Sequence, residues 1–358
     1  MNKTAVLIFL LTVILSLIGL FILYESSSYT ALLNLGDRFY FIKNQALYLP
    51  LGIVLALIVS KFPEKKLYSL SLPFLIGTFI LLIAVFLPGI GLSLKGSHRW
   101  IDLGFIVFQP SELLKISLTL YLAAWLSGKE KNRLFAFLIL LGVFCGMVML
   151  QPDLGTTFII SVTAISLYFV SGAKLKEMLT LGIIGVVGVV FFISIASYRL
   201  ERFSSFREFS LENPQDSTYH LRQIILGIGS GGLIGVGPGN SIQKYAYLPE
   251  NTTDSIFAIY AEETGFLGSI ILISLYLLHA TFGLVIAINS KDMFGRLLAT
   301  GITVFISIQA LINLSSQVII VPLTGVPLPF ISYGGSAMLI NFIAVGLLMN
   351  VANNSNKK

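Results

Sequence analysis

Three carboxylates stand in a stretch apolar enough to enter a membrane. In YLPENTTDSIFAIYAEETGFLG (247–268), Asp254 opens the apolar run, and Glu262 and Glu263 fall well inside it. A carboxylate at the mouth of a polar, outward-opening cavity can take the proton from an attacking hydroxyl as general base. That is the chemistry to which Asp254 is suited. The plainer alternative is a helix start, because TTD places an acid near the positive end of a helix dipole. On an ideal helix Glu262 would lie about 12 Å deeper than Asp254 and within about 80° of its face, while Glu263 would point the other way. Ionised groups near mid-membrane cost about 2.5–3.5 kcal/mol each even on the lenient insertion scale. The pair therefore needs partners or water, as cavity-wall groups or as structural hydrogen-bonding groups.

Further candidates lie upstream. QPSELLK (109–115) sets Glu112 and Lys115 at i, i+3 on one helix face, an ion pair that would be structural or shape a cavity wall. QPDLGTT (151–157) makes a turn in which Asp153 can cap the following helix. The external basic residues Arg99, Arg199, Arg202, Arg207, Arg222 and Lys244 suit phospholipid headgroups or a diphosphate, since guanidinium groups pair bidentately with phosphate oxygens. The glycine cluster GIGSGGLIGVGPGN (227–240) lacks a following Gly-Lys-Ser/Thr, so it reads as tight turns and close packing rather than a nucleotide loop. VPLTGVPLPFISYGGS (321–336) forces irregular backbone that must line a cavity or be buried in protein.

The elements that must position these groups follow from composition. Of 358 residues, 56% are hydrophobic and 11% charged, against about 25% charged in globular domains; this is a membrane protein. A net charge of +6 is explained by orientation rather than by nucleic acid. About ten apolar runs can cross as helices, near 5–24, 45–61, 69–89, 111–127, 134–150, 156–171, 178–198, 254–289, 295–319 and 334–352. They place both termini on one side. Lysines and arginines crowd the short loops of that side, so the positive-inside rule makes it cytoplasmic. The first span reads as uncleaved. The expectation is an all-α, single polytopic membrane domain over 1–358, with long external connections near 90–110 and 199–253. The one cysteine, Cys145, has no intramolecular disulfide partner, and no Cys/His cluster has metal spacing. His279 reads as a packed core histidine.

Taken in order, these stretches resemble the SEDS family of cell-wall polymerases, the RodA/FtsW group. The matching segments are GSHRWIDLG (96–104), QPSELLK (109–115), QPDLGTT (151–157), GIGSGGLIGVGPGNSIQK (227–244), YLPENTTDSIFAIYAEETGFLG and LTGVPLPFISYGGS (323–336). GVGPGNSIQK is more similar to the cell-division branch, FtsW, than to the elongation branch. Two positions depart from the family pattern: Thr253 stands where a His often precedes the acid, and Ser255 where an aromatic often follows it.

The resemblance implies a GT-C-like membrane core with an outward-facing cavity, in the bacterial cytoplasmic membrane with its active site outside. It implies a peptidoglycan glycosyltransferase that polymerises lipid II, a disaccharide-pentapeptide on undecaprenyl diphosphate, onto a growing glycan strand during cell division. The family's catalytic acid falls on Asp254, and its structural or cavity pair on Glu112 and Lys115. Candidates to contact substrate are Arg99, Arg202, Arg222, Lys244, Ser332 and Ser336, with room for a divalent cation, Mg or Mn, beside the diphosphate. Implied partners are a class B penicillin-binding transpeptidase, other divisome proteins and membrane lipids, with no nucleic acid. A lipid II flippase is the rival reading, because intramembrane carboxylates and irregular helices also suit a transporter.

Overall fold

The computed structural model describes residues 2–94, 97–102, 104, 107–128, 130, 133–195, 200, 204, 206–207, 209 and 218–355. Its helices are α1 (Lys3–Leu35), α2 (Tyr40–Val59), α3 (Glu64–Ala84), α4 (Pro110–Leu126), α5 (Leu134–Leu150), α6 (Leu154–Val170), α7 (Leu175–Ile195), α8 (Tyr219–Ser230), α9 (Ile256–Ile288), α10 (Met293–Gln317) and α11 (Gly335–Ser355). Among the described residues seven of these, α1, α2, α3, α7, α9, α10 and α11, are long and apolar enough to cross a membrane, and α5 and α6 are shorter apolar helices. Starts and stops follow local chemistry. Asn2 caps α1 and Asp292 caps α10 with their side chains, Pro110 opens α4, and Gly36 closes α1 in the left-handed conformation.

The all-α expectation needs one correction. Residues of the 90–110 connection form a three-stranded antiparallel sheet, β1 (Gly91–Leu94), β2 (Ser97–Asp102) and β3 (Val107–Phe108), with β2 central. Paired strands satisfy backbone groups that a bare loop would leave open, and β2 buries Ser97 and Ile101 on one face. The 199–253 connection likewise contains α8, which packs on α9.

The buried frame is α10 and α11. α10 packs on α9, α6 and α4, while α11 packs on α2 and α1; α7 meets the bundle along α6 and is otherwise largely exposed. Asn2 bonds the Asn353 side chain and the Ala352 carbonyl, so both described ends meet at one end of the bundle. Asn251 donates to the Ser26 carbonyl of α1 at 2.9 Å. Ser26 stands roughly 35 Å along α1 from Lys3, at about 1.5 Å per residue. The Asp254 loop therefore lies at the opposite end from the termini.

Candidate functional site

Asp254 occupies the turn before α9, and Ser255 is the N-cap residue, so the acid does not cap the helix. The backbone around it is clasped at consecutive carbonyls. Tyr333 N–H donates to Thr252 O at 2.9 Å and Ser332 Oγ donates to Thr253 O. Asn313 Nδ2 and Gln317 Nε2, both buried, each donate to Asp254 O at 2.8 Å. A backbone held in this way fixes where the side chain leaves the chain. The Asp254 side chain is partly exposed, and Thr253 Oγ1 lies 3.3 Å from its Oδ1 and 3.0 Å from Glu250 Oε2. Of the two departures from the family pattern, Thr253 thus sits between two carboxylates. Ser255, fully buried, meets His220 Nε2 at 2.7 Å.

Glu262 and Glu263 are engaged by the glycine-rich connection. Glu262 accepts from Ser241 Oγ, from Ile242 N–H at 3.1 Å, from Gln243 N–H at 3.3 Å and from Ser230 Oγ at 3.3 Å. Glu263 accepts from Gly239 N–H at 3.1 Å and lies 3.5 Å from the Lys244 ammonium, which also reaches Glu25 of α1 at 3.0 Å. Burial pulls the Lys244 pKa down, but the carboxylates of Glu25 and Glu263 outweigh it and hold the ammonium above its ordinary value.

The two acids sit just before a break in α9 at Gly265, whose φ of 67° and ψ of −163° are closed to other residues. The break frees helix groups, and the connection pairs with them. Val236 and Gly237 N–H donate to Glu262 O and Glu263 O, while Phe266 and Leu267 N–H donate to Gly232 O and Leu233 O. A Cβ on Gly265 would stand 2.3 Å from Gly235 N. The helix expected to begin at Asp254 begins instead at Ile256, so Asp254 precedes it, and beyond Glu263 the long run divides into two helical arms.

Deeper in the bundle Lys115 and Glu112 form the i, i+3 pair at 2.8 Å, both buried, and Lys115 donates to Gln309 Oε1 at 2.6 Å. Gln309 in turn donates to Pro327 O, and Asn313 to Val326 O. Gln309, Asn313 and Gln317, four residues apart on α10, therefore connect the ion pair to the 321–336 segment and to Asp254. Sequence reasoning missed this ladder; the readable signal is an amide stripe at helical spacing inside an apolar span. The segment is buried over 328–332 and partly exposed towards its start, and it is held by Gln45 of α2 at Ser332 O and Gly334 N–H and by Tyr276 at Pro329 O.

The remaining candidates are distributed around this frame. Arg99 donates from β2 to the Gln151 and Pro152 carbonyls, and Asp153 caps α6 through Thr156. Arg222 lies on α8, partly exposed, and Ser336 is buried in the first turn of α11. Arg202 and Arg199 lie outside the described residues. His279 packs between Thr12 and the Phe330 ring. Among the described residues no three of His, Cys, Asp and Glu converge.

Comparison with known proteins sets this geometry in context. The chain is 35% identical to a probable peptidoglycan glycosyltransferase FtsW of Geobacter sp. (strain M18), covering 97% of this chain and 96% of that one. It is 36% identical to the stage V sporulation protein E of Bacillus subtilis (strain 168), with the same coverage. Among solved structures, it resembles the rod shape determining protein RodA of Thermus thermophilus with a TM-score of 0.73 at 25% identity, covering 98% of this chain and 97% of that one. A chain from a study titled "Structural coordination of polymerization and crosslinking by a peptidoglycan synthase complex" gives a TM-score of 0.81 at 24% identity, covering 98% of each. The family model FTSW_RODA_SPOVE, described as "Cell cycle protein", matches residues 5–357. The chain belongs to the FtsW/RodA/SpoVE family.

Proposed function

We propose that this protein is a peptidoglycan glycosyltransferase that polymerises lipid II on the outer face of the cytoplasmic membrane, in septal wall synthesis, with Asp254 as general base. The observation that carries the reading is a partly exposed carboxylate on a backbone clasped from α10 and from the 321–336 segment. The acceptor sugar's 4-hydroxyl gives its proton to Asp254 while its oxygen bonds to the donor's anomeric carbon. The bond to undecaprenyl diphosphate breaks, and the leaving group departs with the electron pair. External arginines stabilise the growing charge. A single displacement inverts the anomeric centre and needs no second carboxylate nucleophile. A class B transpeptidase is the partner that would cross-link the product.

The test uses purified full-length protein with its transpeptidase partner and labelled lipid II in vesicles. Glycan polymer is the expected product. Translocation of lipid II without polymer would establish a flippase instead.

A further inference from the structure

We infer that His220 is a positioning residue for this active site, acting on Asp254 through Ser255. The inference rests on the reading of Asp254 given above. Ser255 follows Asp254 directly and is the N-cap residue of α9, yet its side chain makes no capping bond to that helix. Instead its fully buried hydroxyl shares a 2.7 Å hydrogen bond with His220 Nε2. Ser255 N–H donates to Glu250 O, and Ala258 N–H takes the Ser255 carbonyl. The hydroxyl is therefore left to fix the register between the catalytic turn and its surroundings.

The other clasps on this turn come from α10 and the 321–336 segment, which act on the carbonyls of residues 252 to 254. His220 acts from a different element, α8, within the external connection. That helix is itself tied to the site by Tyr219, which donates to Tyr247 O at 2.9 Å, and by Ser230, which reaches Glu262. Asp254 is thus flanked by bonds from a bundle helix and from an external helix, and the Ser255–His220 bond is a link on the external side, one residue from the acid. Because serine hydroxyls both donate and accept, the link survives with either imidazole tautomer. A glutamine at 220 can offer an amide near the Nε2 position, whereas leucine cannot.

The test is a double-mutant cycle on the full-length protein with its transpeptidase partner, following polymerisation of labelled lipid II. H220L and S255A should each lower kcat by about tenfold, the loss of one hydrogen bond at this step, with KM little changed. The double variant should lose no more than either single one, and H220Q should recover most of the rate. Losses that multiply in the double variant would overturn the inference, as would H220L turnover equal to the unsubstituted protein. A thermal melt separates misfolding from mispositioning: if H220Q and H220L melt alike but differ in kcat, positioning is supported, and if kcat tracks melting alone it is refuted. D254N runs in parallel. Polymerisation by D254N would sink the reading of Asp254, whatever the cycle on His220 gives.

Discussion

At the scale of single residues, the site depends on hydrogen bonds to backbone as much as on side chains. Asn313 and Gln317 both donate to the Asp254 carbonyl, and each such hydrogen bond contributes about 0.5–1.5 kcal/mol net. Asn313→Leu or Gln317→Leu should each lower turnover by about tenfold with KM nearly unchanged, and replacing both should cost more than either; steady-state polymerisation kinetics check this. Lys115 carries a different prediction. Lys115→Met would leave Glu112 buried without its ion-pair partner, destabilising the fold by about 3–5 kcal/mol. Adding Glu112→Leu should recover much of the loss, as read by thermal unfolding in detergent. Asp254, Glu112 and Lys115 could be picked out from the sequence because charge is rare in an apolar chain. Asn313 and Gln317 could not be tied to Asp254, because their target is a backbone carbonyl about 60 residues away.

At the scale of elements, the apolar runs pointed to the long helices but not to their ends: α1 continues to Leu35 and α2 begins at Tyr40, and the helix α8 inside the 199–253 connection was not expected. The sheet over 91–108 escaped, since its strands are short and show no clean alternation of apolar and polar residues. The 254–289 run was long enough to be bent, but the place of the break in α9, at Gly265, could not be read. A glycine in a long apolar run marks a place where a kink is allowed, but the partner that stabilises it, the 231–237 backbone, is brought there only by the fold. Glu262 and Glu263 then answer their own puzzle: they hold the 230–243 connection onto the broken helix. Gly265→Ala combines a strained φ with a clash against Gly235 N and should cost about 1–3 kcal/mol from the backbone alone. Glu262→Ala removes the acceptor shared by Ser241, Ile242, Gln243 and Ser230. Both variants should expose the 230–243 segment to limited proteolysis while the helical bundle resists; unchanged cleavage would contradict the clamp.

At the scale of the molecule, the bundle separates the end that holds both described termini from the end that holds the Asp254 loop. Ser355→Cys and Glu250→Cys, introduced on a Cys145→Ala background, should react with an impermeant maleimide from opposite sides of the membrane, with Glu250→Cys labelled from outside in intact cells. In the proposed reading, a lipid-anchored donor reaches an acid at the outer rim, with the buried Glu112–Lys115 pair beneath it in the frame. The central claim is that the Asp254 carboxylate takes the acceptor's proton. It is tested most directly by the initial rate of glycan polymerisation from saturating labelled lipid II with Asp254→Asn, a variant close in size that cannot act as a base. The account predicts loss of polymer with folding and lipid II binding intact; polymer at near the unsubstituted rate would contradict it.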